Sequence, residues 1–462
     1  MSPYDLSGLV KAYDVRGVVP DQLDENVARA LGAAFARLVV GEALAGSPVS
    51  IVTAHDMRES SVPLSRAFAE GAMSQGVSVV EAGLGSTDML YFASGHLGLP
   101  GAMFTASHNP ARYNGIKLCR AGATPIGQET GLVAIRTEAE RILDHGAPSA
   151  AGAGDITSVD LLTEYAKYLR SLVDLSGIRP LKVVVDAGNG MGGYTVPTVL
   201  GEGLPLTVVP LYFELDGDFP NHEANPLDPK NLVDLKQKVK AVSADIGLAF
   251  DGDADRCFVI DERGEPLSPS AVTALVAVRE LAKHPGATVI HNLITSRAVP
   301  EIITEHGGVP VRTRVGHSFI KAEMARTDAV FGGEHSAHYY FRDFWRADTG
   351  MLAAMHVLAA LGESDQPLSV LGAEYERYVA SGEINSVVDD QEAKVKTVLD
   401  VLASGPGVRV DNLDGTTVTF TDGAWFNLRA SNTEPLLRLN VEAGTPGRMA
   451  ELRDEVLALV RS

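Results

Sequence analysis

The chain is poor in cysteine, in basic residues and in long apolar runs, and each shortage removes a class of protein. Its 462 residues hold two cysteines, Cys119 and Cys257, too few for a disulfide framework, so a reducing cytoplasm is the expected setting. Lysine and arginine number 39 against 59 acidic residues, a net charge of -20. A broad surface for nucleic acid or for an anionic membrane needs an excess of positive charge, so neither is an expected partner and an anionic ligand has to be met locally. No apolar run approaches the roughly 20 residues that cross a bilayer. The first residues, MSPYDLSGLVKAYDVRG, lack a basic patch followed by an apolar core, so an unexported, soluble protein is expected. At this length several domains are expected, since single cores rarely grow past about 250 residues.

Through most of the sequence, short β-branched and apolar runs (VSIVTAHD, VSVVEAGL, LKVVVDAGNG, ADIGLAFDGD, ATVIHNLI, AVFGGEHS) alternate with amphipathic stretches such as ENVARALGAAFARLV and LLTEYAKYLRSLV. That alternation predicts βαβ units, with chemistry at the turns that follow the strands. The small-residue stretch from Ala147 to Ser158 reads as a linker. A second boundary is placed near Asp261, where CFVIDERGEPL gives way to the helical pattern SPSAVTALVAVRELAKH. From Val408 the pattern changes to strands joined by tight turns, including Asp422-Gly423, and closes on one helix. The expected architecture is three similar mixed α/β domains at 1–150, 155–260 and 261–370, and a smaller α+β domain at 375–462.

Four stretches could carry chemistry. GAMFTASHNPARYNGIK places Ser107 just past a strand, in a turn with Asn109 and Pro110, where a hydroxyl would be presented. A serine–histidine pair of the protease kind is not expected from Ser107 and His108, because neighbouring side chains diverge on strands and helices alike. In ADIGLAFDGDADRCFVID, Asp251, Asp253 and Asp255 alternate with small residues, so their carboxylates can converge on one hard cation; without it three such charges repel. An EF-hand would place Glu262 at the twelfth position, but Arg256 stands where its sharp turn needs glycine and CFVI continues as a strand. FGGEHSAHYYF gathers Glu334, His335, Ser336 and His338, donors and acceptors of the kind sugar hydroxyls require. LRASNTEPLLRL sets Arg429 beside Ser431, Asn432 and Thr433, a guanidinium with hydroxyls and turn amides suited to phosphate.

TASHNPARYNGIK, DGDADR, GEHSAH and RASNTEP, in this order, together with KAYDVRG from Lys11 to Gly17, resemble the signature loops of the α-D-phosphohexomutase family, most closely its bacterial phosphomannomutase/phosphoglucomutase branch. The resemblance spans the whole chain. It implies the same four domains around a central cleft. It also implies that Ser107 carries a phosphoryl group, and that Mg2+ bridges it to Asp251, Asp253 and Asp255. Arg256, Tyr13 and Arg16 then belong to the transfer site, with His108 and Lys117 both candidates for proton handling. His317, in TRVGHSFIK, Glu334, Ser336 and His338 are implied as sugar contacts, and Arg429, Ser431, Asn432 and Thr433 as ligands of the phosphate not being transferred.

The implied activity is interconversion of mannose 6-phosphate and mannose 1-phosphate through a hexose 1,6-bisphosphate, with glucose phosphates as the second choice of substrate. The family's sugar loop usually reads G-E-x-S-G-H, and Ala337 replaces its second glycine here, which bears on the loop's backbone freedom. A metal-dependent phosphatase and a sugar-phosphate sensor are the competing classes. The first has no need of a second phosphate loop, and the second has no need of Ser107 with an intact aspartate trio.

Overall fold

The computed structural model describes residues 4–44, 49–148, 152–430 and 436–462. The chain forms two compact units, one of residues 1–267 with 336–369, the other of residues 268–335 with 370–462.

The first unit holds two sheets. One runs in the order Val15–Val18, Tyr113–Arg120, Gly101–Phe104, Ser50–His55, Ser78–Leu84, Ile156–Ser158. Its four strands from Gly101–Phe104 onward are parallel, and Tyr113–Arg120 is antiparallel to both its neighbours. The strand Ile156–Ser158 lies within the stretch read as a linker and pairs through Val79. The helix Glu25–Glu42 starts where Asp24 accepts the Val27 amide, and its apolar stripe, Val27, Leu31, Ala34 and Phe35 among it, is buried. With Phe68 and Phe104 that stripe forms one core, and Phe68 meets Phe104 edge-on at 5.4 Å between ring centroids.

The second sheet runs Pro266–Leu267, Cys257–Asp261, Ile246–Phe250, Leu181–Asp186, Leu206–Leu211. Ile246–Phe250 and Leu181–Asp186 are parallel and almost wholly buried, which is why both read as continuous apolar runs and not as alternations. Cys257–Asp261 turns back antiparallel on Ile246–Phe250, with Phe250 opposite Cys257. That hairpin makes Asp251–Arg256 its tip. The same unit includes the antiparallel pair Tyr339–Phe341 and Ala347–Asp348 and the buried, apolar helix Gly350–Gly362.

In the second unit, Thr288–Asn292 lies between Val309–Thr313 and Phe331–Gly333, all parallel. The helix Pro269–Lys283 is capped by Ser268 and has proline in its first turn. The last sheet is antiparallel, in the order Val379–Val387, Leu436–Ala443, Trp425–Ala430, Thr416–Thr419, Arg409–Asp411. The helix Pro446–Arg461 contributes Leu452, Val456 and Val460 to its core. This is the α+β tail expected from the sequence.

Candidate active site

The strand Gly101–Phe104 is buried at every position, and its chain continues into a turn that Thr105 shapes by accepting the Ser107 amide at 2.9 Å. Ser107 adopts φ 51°, in the left-handed region. Its Oγ donates to Asp251 Oδ2 at 2.8 Å and lies 3.1 Å from His108 Nδ1. The two neighbours therefore do meet, contrary to the expectation from strand and helix geometry, because the left-handed turn at Ser107 brings successive side chains to one side. Arg256 Nη2 also bonds His108 Nδ1. A guanidinium can only donate, so Nδ1 is an acceptor and the ring proton sits on Nε2. Burial, with Arg256 and Arg16 adding to it, pushes the His108 pKa well below its ordinary value.

Asp251, Asp253 and Asp255 lie at the tip of the hairpin, all but inaccessible to solvent. Their mutual repulsion, taken from the sequence as needing a cation, is met in part by the protein. Lys117 Nζ bonds Asp253 Oδ2 and Asp255 Oδ2, each at 2.7 Å, and Arg256 bonds Asp251 Oδ2 at 2.8 Å. Thr87, first residue of the helix Thr87–Leu97, adds a hydroxyl to Asp253 Oδ2 at 2.6 Å. Burial raises the Asp253 pKa, but the charge and hydrogen bond of Lys117 outweigh it and hold that carboxyl well below the usual range. Burial likewise works against the Lys117 ammonium, and Asp253 and Asp255 overcome it, raising its pKa well above the ordinary value.

The cluster still has capacity for a metal. Asp253 and Asp255 each turn Oδ2 to Lys117, while Asp253 Oδ1 and Asp255 Oδ1 are buried with no hydrogen-bond partner. Such orphaned carboxylate oxygens are costly unless something joins them. Ligand oxygens of the three aspartates lie within 4.8 Å of one another. Hard oxygens with two unsatisfied acceptors fit Mg2+ or a similar divalent cation. Gly252, between the first two aspartates, lets this loop touch the serine loop: a Cβ there would stand 2.3 Å from the Ser107 carbonyl oxygen.

Two further predicted residues, Arg16 and His338, join this centre. Arg16 bonds Asn109 Oδ1 and, at 3.4 Å, the Ala106 carbonyl, and pairs with Asp14 at 2.6 Å. Tyr13 is half-buried and stands in the segment that leads into the strand Val15–Val18. His338 forms a backbone bridge with Arg256. Its Nδ1 lies 2.9 Å from Ser336 Oγ, and its Nε2 lies 3.8 Å from Asp255 Oδ1. Ala337, the residue in the place of the family's glycine, is fully buried at φ 65°, a conformation that favours glycine. Arg58, Asp56 and Thr87 also reach the site without having been singled out in the sequence. A signal existed for the first two, since SIVTAHDMR ends a predicted strand where ligand-binding loops concentrate.

In the second unit, Glu334 is buried and its Oε1 accepts the Gly316 amide at 3.1 Å and Asn292 Nδ2 at 3.4 Å. That bond sets Glu334 beside His317, the first residue of the helix His317–Thr327. Asp414 Oδ2 accepts the Val315 amide at 3.0 Å and lies 3.5 Å from Arg429 Nη1. His317, Glu334 and Arg429 are thus linked through short bridges within one unit. Arg429 also lies 3.7 Å from Glu383. Ser431, Asn432 and Thr433 fall outside the described residues.

Matches to known proteins cover the chain in four consecutive pieces. Residues 7–144, 163–264 and 268–378 match the phosphoglucomutase/phosphomannomutase alpha/beta/alpha domains I, II and III, and residues 383–459 match the C-terminal domain of the same family. A Xanthomonas campestris pv. campestris protein described as "Phosphohexose mutases" is 41% identical over 455 residues, covering 97% of this chain and 98% of its own. An Escherichia coli phosphomannomutase is 38% identical over 465 residues, covering 98% of both chains. A solved phosphoglucomutase/phosphomannomutase family protein from Burkholderia thailandensis superposes with a TM-score of 0.88 at 32% identity, covering 98% of this chain and 97% of its own.

Proposed function

Since the chain belongs to the phosphoglucomutase/phosphomannomutase family, we propose that it interconverts hexose 6-phosphates and hexose 1-phosphates, mannose before glucose, by exchanging a phosphoryl group with Ser107. The observation that carries this reading is the Ser107 hydroxyl bonded to Asp251 at 2.8 Å within a trio of buried aspartates. A serine in that setting suits phosphoryl transfer, where positioning and charge neutralisation do most of the work.

Asp251, Asp253, Asp255 and Ser107 Oγ would hold Mg2+, which when bound neutralises charge on the oxygens of the moving phosphoryl group. Arg256 and Arg16 flank the serine loop and add fixed positive charge. His108 Nδ1 is within reach of the Ser107 proton, whereas Lys117 is committed to two carboxylates. Lys117 therefore serves as a fixed charge; the serine proton lies on the hydrogen bond to Asp251, and His108 Nδ1, which already accepts from Arg256, takes it only when that bond is released. Tyr13 is assigned to the same site through its place in KAYDVRG.

In this reading phosphoserine at Ser107 donates to the free hydroxyl of the hexose phosphate, giving a hexose 1,6-bisphosphate. The bisphosphate turns over and returns its other phosphate to Ser107. Glu334 and Ser336 take paired ring hydroxyls, His317 and His338 border the sugar, and Arg429 with Ser431, Asn432 and Thr433 holds whichever phosphate is not moving. The working divisions are 1–150, 155–260, 261–370 and 375–462. Two buried cysteines outside any disulfide fit a cytoplasmic setting, and among the described residues no helix is long and apolar enough to cross a membrane.

The test is a coupled assay with Mg2+ that compares mannose 1-phosphate and glucose 1-phosphate, each primed with its 1,6-bisphosphate. Isomerisation of either supports the mutase, and the ratio of kcat/KM values ranks the sugars. Release of inorganic phosphate without isomerisation would replace this reading with the phosphatase.

A further inference from the structure

Four backbone carbonyls of the turn that presents Ser107 are gripped by one buried guanidinium from outside it. Arg58 follows the strand Ser50–His55 and is 2% exposed. Its Nη2 donates to the carbonyls of Ser107 at 2.9 Å and Asn109 at 2.7 Å. Its Nη1 donates to those of Pro110 and Tyr113, both at 3.0 Å. Nε completes the set on Asp56 Oδ2 at 3.2 Å. A guanidinium has five N–H groups in a rigid planar fork, and all five are used.

The anchor is itself fixed. Asp56 Oδ1 accepts the Arg58 amide at 3.0 Å and the Ser61 hydroxyl at 2.6 Å, and Phe219 lies 5.1 Å from the guanidinium carbon. Neighbouring Asn114 donates to Ser60 and Ser61 at 2.8 and 2.9 Å. Without this fork, four carbonyls of one seven-residue turn lose the donor they share, and three of them belong to Ser107, Asn109 and Pro110.

We propose that Arg58 is a positioning residue for phosphoryl transfer, holding the backbone of the Ser107 loop so that Oγ keeps its place at the aspartates through both half-reactions. The proposal rests on Ser107 being the residue that carries the phosphoryl group. Arg58 faces carbonyls and a carboxylate, with no donor left for substrate, so its removal acts on the chemical step and not on sugar binding. A displacement of about 1 Å at a reacting atom costs on the order of 100-fold in rate.

Arg58→Lys keeps the charge but supplies three donors without the planar fork, so at least two of the five acceptors go unmet. The expected result is a kcat lowered about 100-fold with KM for the hexose phosphate within about threefold of wild type, a split that shows loss of an interaction acting in the transition state. Phosphorylation of Ser107 by glucose 1,6-bisphosphate, followed by intact mass, should slow in step with kcat. A kcat within threefold of wild type, or a raised KM at constant kcat, would overturn the proposal. Should the lysine variant fail to fold, the double variant Asp56→Asn, Arg58→Met removes both charges together and takes the same measurements. Wild-type protein that accepts phosphoryl at Ser107 yet isomerises neither sugar would refute the mutase reading and leave the Arg58 comparison readable from the phosphorylation rate. Wild type that never accepts phosphoryl at Ser107 overturns both.

Discussion

Replacing Lys117 with methionine tests whether the protein's own ammonium occupies part of a cation site. Lys117 Nζ lies 2.7 Å from oxygens of both Asp253 and Asp255, whose side chains are 0% and 2% exposed. At an effective dielectric of about 20, each contact has a gross attraction of roughly 6 kcal/mol, most of which the desolvation of three charges cancels. Removing one partner is costlier than the net value of the bridge, because two buried carboxylates lose their counter-charge; about 3–5 kcal/mol is expected. For the unit of residues 1–267 with 336–369, at about 2.1 cal/mol/K per residue, that lowers the thermal midpoint by roughly 5–8 °C. Methionine keeps the volume, so packing contributes little. The same physics gives the opposite sign for metal: with the competing positive charge gone, Mg2+ should bind the variant at least about tenfold more tightly, so saturating Mg2+ should recover about 1.4 kcal/mol or more of the lost stability. Calorimetric titration with Mg2+ and thermal melts with and without it measure both effects. Unchanged or weaker Mg2+ affinity, with the same midpoint loss in either buffer, would refute the idea that Lys117 and the metal share these carboxylates.

Ser107→Ala should abolish isomerisation while leaving the thermal midpoint within a few degrees, since the hydroxyl is the only group removed; normal turnover would sink the phosphoserine mechanism. Arg429→Ala should raise KM for the hexose phosphate about tenfold or more, and raise by a similar factor the bisphosphate concentration needed to phosphorylate Ser107, while the rate at saturation stays near wild type; an unchanged KM would remove Arg429 from the phosphate site. Burial, opposed by hydroxyls of Ser86, Tyr165 and Thr349, raises the Asp88 pKa to about 6. Because the folded value lies above the unfolded one, this group's contribution is complete below about pH 4 and is lost as pH rises through 6. Asp88→Asn removes the dependence, so its stability relative to wild type should improve by about 1.4 kcal/mol between pH 5 and 7.5, read from urea midpoints. Parallel pH profiles would show that Asp88 does not titrate in this range.

Much of the fold was open to inspection in the sequence because the signals are local. ENVARALGAAFARLV became the helix Glu25–Glu42, and ADIGLAFDGDADR became a buried strand that ends at its aspartates. A fully buried parallel strand has to be apolar throughout, and a turn at its end can be polar without cost, so composition alone marks both. Ala337 was also visible as a departure from the family pattern, though the reason it matters, a backbone at φ 65°, appears only in three dimensions.

Residue type and order were enough to establish which groups are present: a presented serine, three carboxylates on one turn, a polar loop and an arginine beside hydroxyls. How those groups balance one another was settled by the folded chain. Lys117 meets aspartates 136 and 138 residues away, so the repulsion inferred from the DGDAD run is offset by a charge that its neighbours in sequence do not reveal. Ser107 and His108 converge because φ at Ser107 is positive, and Arg58 holds carbonyls 49 to 55 residues distant. Such pairings depend on which strand ends the sheets bring side by side. Local periodicity encodes the strands, whereas strand order and register arise from the packing of whole sheets and helices against one another.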